Sequence, residues 1–364
     1  MVSHSPFPIR GRRLLLLANG CFSTIEGKTA TCFLMYRGDD VAAVVDATNT
    51  GRVAREVVGL GGEVPVVESV EAALPLGPEV AIVGSAPRGG ALEEPMRTDV
   101  AACLRAGIDV AGGLHFFLSD DPELSAIAAR GGARVWDVRR PAGGRTVSTG
   151  RGCTTGARVV LTVGSDCNVG KMTTTVALYE AAVARGVRAA WAATGQTGMM
   201  LRERGVAVDA VVADFIGGAA EALVQEEGRD ADLVFVEGQG ALAHPGYAGV
   251  TLGLMYGAMP DCMVLVHWAG RERLKRLDVP VPPLSALVSL HESLMRPHRD
   301  SRVVAVSLNT GDLDERRARG ALEAATRETG LPATDVVRFG CDAVLDAIDR
   351  ALAGAPPLGR GEAA

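Results

Sequence analysis

The run Val163-Gly164-Ser165-Asp166-Cys167-Asn168-Val169-Gly170-Lys171-Met172-Thr173-Thr174 carries the strongest chemical signal in the chain. An apolar stretch, Val159–Val163, leads into it, and a helical pattern from Met172 to Arg185 leads out. Strand, glycine-rich turn and helix start, in that order, aim backbone N–H groups and the positive end of a helix at one point, which suits phosphate oxygens. A lysine directly after the second glycine adds a point charge among those oxygens. The spacing is one residue longer than G-x-x-x-x-G-K-[ST], and Met172 stands where a hydroxyl would hold Mg²⁺. The competing reading is a tight strand–helix turn with a solvent-exposed lysine. The coincidence of strand, turn, lysine and helix favours a phosphate site.

Four further segments lie at the ends of expected strands, where open α/β sheets place their ligands. Ala193-Thr194-Gly195-Gln196-Thr197-Gly198 combines two glycines with a polar trio and allows close backbone approach to a ligand, although alone it could be any polar turn. Asp214, ahead of Gly217-Gly218, could coordinate a metal, bind an amine or serve as a base, and equally could cap a helix. Glu237 follows the apolar run Leu233–Val236, and an unpaired charge there would be costly, so it reads as a working carboxylate beside Gln239. His244 could exchange a proton near neutral pH, although a histidine before proline is more often a hydrogen-bonding residue. Asn309 ends another strand and could pair with a purine edge, or simply make a turn. His267, Arg271 and Arg273 follow a further strand and could clamp an anion, whereas His291 and Glu292 read as a solvated helix face.

The elements that must position these residues alternate along the whole chain. In the first part, strand candidates are Arg13–Ala18, Val41–Val45, Val64–Val66, Val80–Val83, Val110–Ala111 and Arg134–Val138. Helix candidates such as Thr50–Val58, Thr98–Ala106 and Glu123–Arg130 lie between them. Continuous Val/Ala/Ile strands separated by amphipathic helices imply a parallel sheet covered on both faces. The first βα turn lacks G-x-G-x-x-G; Asp46 ends the second strand, where dinucleotide folds bind ribose, but scaffolding or a non-nucleotide ligand is the stronger reading. Pro141–Gly156, rich in Gly, Thr and Arg, is the best linker. A second α/β pattern follows, with strands at Val159–Val163, Ala189–Ala193, Leu233–Glu237, Cys262–His267 and Arg302–Ser307, and Ala355–Ala364 reads as a disordered tail. The expected class is α/β: an N-terminal Rossmann-like doubly wound domain over residues 1–145 and a P-loop domain over 146–364.

Composition narrows the function. The 364 residues exceed one ordinary core, and 48% apolar content with mixed charge indicates a globular protein. A net charge of −6 and 4% aromatic residues disfavour nucleic acid or a membrane surface as partner. Seven dispersed cysteines without a C-x-x-C pair suit reduced thiols, and Leu14–Ala18 is too short to span a bilayer, so a cytoplasmic protein is expected.

Two resemblances rest on these residues. Gly164–Lys171, with its extra residue, resembles the phosphate loop of dethiobiotin synthetases; Val236-Glu237-Gly238 resembles their strand-end acid, and Asn309 their base-binding asparagine. That family activates a carboxylate with ATP and Mg²⁺, which would give Thr173, Asp214 and Glu237 to the metal. Met172 in place of the hydroxyl, and Ala193 in place of a second lysine, depart from it. A fuller resemblance, over nearly the whole chain, is to the DUF1611 family. It is carried by Asp166–Thr174, Gly195–Gly198, Asp214-Phe215-Ile216 with Gly218–Glu221, and Glu237–Gly240 with His244-Pro245. It implies a Rossmann-like and a P-loop domain, a homo-oligomer, and N-acetylation of an acidic amino acid, D-glutamate, from acetyl-CoA or another acyl-CoA. Lys171 and its loop would hold the donor's phosphates, and Glu237, Asp214 or His244 would take the amine proton. Gln196, Thr197, Gly198, Gln239, Arg271 and Arg273 would bind the amino acid. The alternative is an amide ligase or kinase using ATP with Mg²⁺.

Overall fold

The computed structural model describes residues 2–23, 25–85 and 88–353. The expected tail at 355–364 lies outside them. The chain forms two compact units, Ser3–Pro141 with Gln196–Ala210, and Ala142–Gly195 with Val211 onward. The segment 196–210 therefore leaves the second unit and returns to the first, an excursion that a two-block division at residue 145 does not contain.

The first unit holds six parallel strands: β1 (Leu14–Leu17), β2 (Val41–Val45), β3 (Val66–Val67), β4 (Val80–Val83), β5 (Asp109–Gly112) and β6 (Val135–Asp137). Their spatial order is β3-β2-β1-β4-β5-β6, the doubly wound arrangement whose direction reverses between β1 and β4. Leu14–Leu17 and Val80–Val83 are fully buried along their whole length, which is why these strands read as continuous apolar runs rather than alternating ones. The helices between them follow local signals. Asp121 accepts from the backbone of Glu123 and Leu124, Pro122 opens α3 (Pro122–Gly131), and Gly132 ends it with φ 71°. Helix α1 (Lys28–Arg37) follows β1, and α2 (Met96–Arg105) precedes β5. The expected helix from Thr50 shortens to Ala54–Val58, because Asp46 instead caps a 3-10 turn at Ala47–Asn49. Asp46 is buried and accepts from Gly20 N at 3.0 Å and Asn49 Nδ2 at 2.6 Å, so it organises its own turns as a scaffold residue.

The second unit has strands β7 (Arg158–Gly164), β8 (Ala189–Ala192), β9 (Leu233–Val236), β10 (Cys262–Trp268), β11 (Arg302–Asn309) and β12 (Ala333–Thr334). They are all parallel, in the order β12-β11-β10-β7-β9-β8. The phosphate-loop strand β7 is central, with β9 on one side and β10 on the other. Helix α4 (Lys171–Ala184) follows β7; α6 (Ile216–Glu227), α7 (Ala248–Ala258), α8 (Leu284–Met295), α9 (Glu315–Thr329) and α10 (Asp342–Ala353) complete the unit, and α5 (Gln196–Arg202) belongs to the excursion. Among the described residues no helix is long and apolar enough to cross a membrane.

Two expectations change here. Residues 142–156 are an irregular strap bound to the second unit, not a free linker. Glu221, 8% exposed on α6, accepts from Thr149 N at 2.7 Å, Thr149 Oγ1 at 2.5 Å, Arg151 N at 3.1 Å and Ser148 Oγ at 3.2 Å. Burial alone would push its carboxyl up, but the hydrogen bonds from Thr149, Arg151 and Ser148 outweigh that and hold it below the usual carboxylate range. A Cβ at Gly218 would lie 1.8 Å from the Thr146 carbonyl, so Gly218–Glu221 is the seat of this strap. Second, His291 is fully buried on α8, with Nδ1 bonded to the Leu287 carbonyl at 2.7 Å, rather than on a solvated face. Burial pushes its pKa down to about 4, with a smaller contribution from Lys171.

Candidate active site

Lys171 is 7% exposed, which removes the reading of a solvent-facing lysine. Its Nζ turns back over the loop and donates to the Asp166 carbonyl at 2.9 Å. Gly164 makes room for that turn, since a Cβ there would lie 2.7 Å from Nζ. Gly170 stands at the helix start with φ 110° and Asn168 adopts φ 56°, left-handed conformations that turn the loop onto the N-terminus of α4. The loop is thereby folded back over a buried ammonium at the start of α4, and a helix start beside a lysine is a setting suited to phosphate oxygens.

The hydroxyls after the lysine have structural partners. Thr175 Oγ1 bonds the Lys171 carbonyl and Thr162 Oγ1, both at 2.9 Å, and Thr174 Oγ1 bonds Ser307 Oγ at 2.9 Å. Met172 and Thr173 are half-buried beside them. No group of three or more His, Cys, Asp or Glu side chains suited to a metal gathers among the described residues.

Asp166 puts a fully buried carboxylate inside the loop. It accepts from Cys167 N at 2.7 Å, Lys275 N at 2.5 Å and Arg271 Nη1 at 3.1 Å. Arg271 is thus the counter-charge that keeps this carboxylate from cancelling the field of Lys171. Arg273 is elsewhere, more than half exposed and paired with Asp278 at 2.5 Å. Ser165 Oγ bonds His267 Nδ1 at 2.8 Å. Burial, reinforced by Arg271 and opposed by Glu328 and Asp166, lowers His267 to about 4, so the imidazole is neutral at physiological pH.

On the other side of β7, Glu237 is 3% exposed immediately after β9. Its Oε2 accepts from Thr194 N at 3.2 Å and its Oε1 from Gln239 Nε2 at 3.0 Å, while Thr194 Oγ1 donates to the Glu237 carbonyl. Gly195 admits this pairing, since a Cβ there would meet Gln239 Nε2 at 2.4 Å and Glu237 Oε1 at 3.0 Å. Gly238 N donates to Thr162 Oγ1 at 2.9 Å, and a Cβ on Gly238 would strike the Thr162 carbonyl at 1.8 Å and approach Lys171 Cδ at 3.0 Å. Glu237 and Lys171 therefore flank the same glycine. Gln239 is half-buried, and its carbonyl accepts from Thr251 Oγ1 at 2.7 Å.

His244 is buried with both ring nitrogens engaged: Nδ1 accepts from Gly246 N at 3.2 Å, so Nε2–H donates to the Lys275 carbonyl at 3.0 Å. It pins the loop that also meets Asp166, which is a positioning role. Asn309 closes β11 beside the loop, its Cβ 3.9 Å from where a Gly170 Cβ would lie. Asp214 sits exposed on a 3-10 turn at Ala213–Phe215, and among the described residues no hydrogen bond or ion pair ties it to the loop. Gln196, Thr197 and Gly198 are buried in α5 within the first unit. There Arg139 Nη1 donates to Gln196 Oε1, Gln196 Nε2 bonds Thr29 Oγ1 at 3.3 Å, and Thr197 Oγ1 bonds Thr29 Oγ1 at 3.2 Å. Thr194 belongs to the polar turn that the sequence singled out, but its bond to Glu237 was not foreseen. Sequence reasoning passed over Lys275 and Arg139, which act across long separations in the chain.

Two family profiles match this chain: a domain of unknown function described as the DUF1611 C-terminal P-loop domain over residues 146–345, and its N-terminal Rossmann-like domain over 47–141. The chain belongs to the DUF1611 family. A DUF1611 protein from Anabaena variabilis has a crystal structure that superposes with a TM-score of 0.90 at 40% identity, covering 93% of this chain and 100% of that one. Among curated relatives, a D-glutamate N-acetyltransferase from Tritonibacter scottomollicae is 37% identical over 297 residues, 80% of this chain and 87% of the relative. A second protein of that name, from a Pseudoalteromonas species, is 32% identical over 279 residues, 76% of this chain and 83% of the relative.

Proposed function

We propose that this DUF1611 protein is an N-acyltransferase that moves an acetyl or related acyl group from coenzyme A to the amino group of a small acidic amino acid, with D-glutamate the first candidate. The observation that carries the reading is the name shared by two relatives aligned over more than three quarters of this chain. The site supports it. A loop built for phosphates, with Lys171 at its centre, can hold the donor, and Met172 offers no hydroxyl to a metal.

In the reaction the substrate ammonium first gives up one proton, because only the neutral amine attacks. The amine nitrogen then bonds the thioester carbonyl carbon, the C–S bond breaks, and the second amine proton passes to the departing thiolate. Glu237, with both oxygens set as acceptors beside Lys171, is the group to receive the first proton. Gly238 N is committed to Thr162, so backbone N–H groups elsewhere in Gly195–Gly198 or Gly238–Gly240 are the candidates for the oxyanion.

The test is release of free thiol from acetyl-CoA in the presence of D-glutamate, followed with a thiol reagent. Release that needs both substrates and is lost in Lys171→Ala and Glu237→Gln supports the reading. No release with any D- or L-amino acid, together with phosphate release from ATP and Mg²⁺ that depends on the amino acid, would replace it with the ligase mechanism.

A further inference from the structure

A buried donor beside the phosphate loop has no acceptor. Arg271 follows β10, its side chain is 11% exposed, and its guanidinium lies 4.6 Å from the Trp268 ring centroid. Trp268 Nε1 donates to Asp312 Oδ1 at 3.0 Å, so the guanidinium rests on a fixed plane. Its Nη1 donates to Asp166 Oδ2 at 3.1 Å. Its Nε is buried and, among the described residues, has no hydrogen-bond partner. Leaving a buried N–H of a charged group unmet is costly, so this atom calls for an acceptor that the chain does not supply. Asp166 offsets one positive charge, and the loop that Arg271 opens brings more. Residues 271–281 double back, with Leu274 N donating to the Val279 carbonyl at 2.8 Å and Val281 N to the Glu272 carbonyl at 2.9 Å. This hairpin carries Arg271, Arg273, Lys275 and Arg276 against Glu272 and Asp278. Lys275 N donates to Asp166 Oδ2 at 2.5 Å and the Lys275 carbonyl accepts from His244, which fastens the hairpin to the phosphate loop. Arg276, exposed in the turn, holds φ 62°, a conformation that glycine adopts without strain.

The direction of the donor decides what meets this guanidinium. With the pyrophosphate at Lys171 and the thioester at Glu237, on the β9 flank of β7, the nucleoside end leaves on the β10 flank, where Arg271 stands. Coenzyme A carries one group there that ATP and ADP lack, a phosphate on the ribose 3′-oxygen, a single sugar away from the pyrophosphate. We infer that Arg271 and its hairpin form the subsite for that 3′-phosphate, an inference that rests on the acyl-CoA reading. The Nε edge of the guanidinium donates to two phosphate oxygens as a fork, while Nη1 keeps Asp166 and the Trp268 ring holds the plane. The other cations of the hairpin surround the dianion with positive charge. The carboxylates of the amino-acid substrate lie on the opposite flank, beside Glu237. Arg271 is then a specificity-determining residue, one that selects donors phosphorylated on the ribose over nucleotides that carry a pyrophosphate alone.

The experiment measures calorimetric binding of coenzyme A and of 3′-dephospho-coenzyme A to the full-length protein. The two probes share adenine, pyrophosphate and pantetheine, so their ratio reads the 3′-phosphate alone. Wild type should prefer coenzyme A by roughly ten- to a hundredfold, the effect of charge-assisted hydrogen bonds to one phosphate. Arg271→Lys keeps a cation opposite Asp166 but has no fork, and should bring the ratio within about threefold by weakening coenzyme A alone. Arg271→Gln, which retains a donor for Asp166, should do the same and guards against misfolding of the lysine variant. Equal binding of the two probes by the wild type, abolished for both by Lys171→Ala, would overturn the subsite and leave the donor reading standing. A wild-type preference that survives both substitutions would overturn Arg271 as its carrier. A raised KM for D-glutamate in Arg271→Lys, with the probe ratio unchanged, would give the guanidinium to the amino-acid substrate and overturn the inference as well. Binding of neither probe would remove the donor reading and the subsite with it.

Discussion

Replacing Glu221 with glutamine tests whether the strap at 142–156 is part of the second unit. The wild-type carboxylate receives four hydrogen bonds, from Thr149 N, Thr149 Oγ1, Arg151 N and Ser148 Oγ, at a position 8% exposed. Glutamine keeps one acceptor oxygen and turns the other into an N–H₂ facing the donors of its neighbours. Hydrogen bonds to a charged group contribute roughly 1.5–3 kcal/mol each, so losing about two and adding a donor–donor contact should cost about 3 kcal/mol. At a urea slope of about 2 kcal/mol/M, that lowers the midpoint by about 1.5 M. Trp136 lies in the first unit, so a Trp136→Phe background leaves Trp191 and Trp268 to report on the second unit alone. The pH dependence supplies the sign. The folded-state pKa of Glu221 is depressed, so its contribution is present above the unfolded value near 4.3 and is lost as pH falls through the folded value. Wild type and Glu221→Gln should therefore differ at pH 7 and converge in acid. Equal midpoints at pH 7, with unchanged slope, would refute the reasoning.

The remaining expectations concern the site. Lys171→Ala should weaken binding of coenzyme A by roughly ten- to a hundredfold in calorimetry, the loss of one charge-assisted contact, without changing the fold by circular dichroism. Glu237→Gln should lower kcat by about 10²- to 10⁴-fold with a small change in KM, if the carboxylate takes the amine proton. Gly238→Ala should destabilise the second unit by about 2 kcal/mol or more, because its Cβ meets a backbone carbonyl that cannot move aside; a melting temperature equal to wild type would count against the placement of Gly238. His267 and His291 have folded pKa values near 4, below their unfolded value, so they favour the folded state above pH about 6.5 and progressively less as pH falls toward 4. Proton NMR should find both rings neutral at pH 6; a ring titrating near 6.5 would contradict the burial assigned to it.

What could be read from the sequence followed physical range. The central strands of both sheets were visible because a strand buried on both faces is apolar along its length, as Leu14–Leu17 and Val80–Val83 are, whereas the two-residue edge strand Ala333–Thr334 is too short to leave such a run and was missed. The phosphate loop was visible because its conformation is local: Gly164, Asn168, Gly170 and Lys171 act within one turn. Glu237 was found by its cost, a charge at the end of a buried run. The partners of these residues were not visible, because a hydrogen bond from Lys275 to Asp166, or from Arg139 to Gln196, leaves no periodic trace in either segment. His244 shows the limit most clearly. A histidine beside a candidate site suggests proton transfer, and only the two acceptor and donor contacts of its ring assign it to holding a loop. Residues 142–156 likewise read as a linker by composition, since the glycines that let a strap lie close to α6 are the same residues that make a flexible connection.

The placement of residues 196–210 in the first unit bears on the order in which this protein can be made. Ser3–His4 pairs with Arg204–Gly205, and Thr29 and Arg139 find their partners in Gln196 and Thr197. On the ribosome, the strands β1 to β6 emerge first, yet the unit they belong to lacks these contacts until residue 210 has left the exit tunnel. By then β7, α4 and β8 have already been synthesised. The nascent first unit must wait, part-finished, while the opening of the second is translated, so the two are completed as interleaved products rather than as beads added one after another.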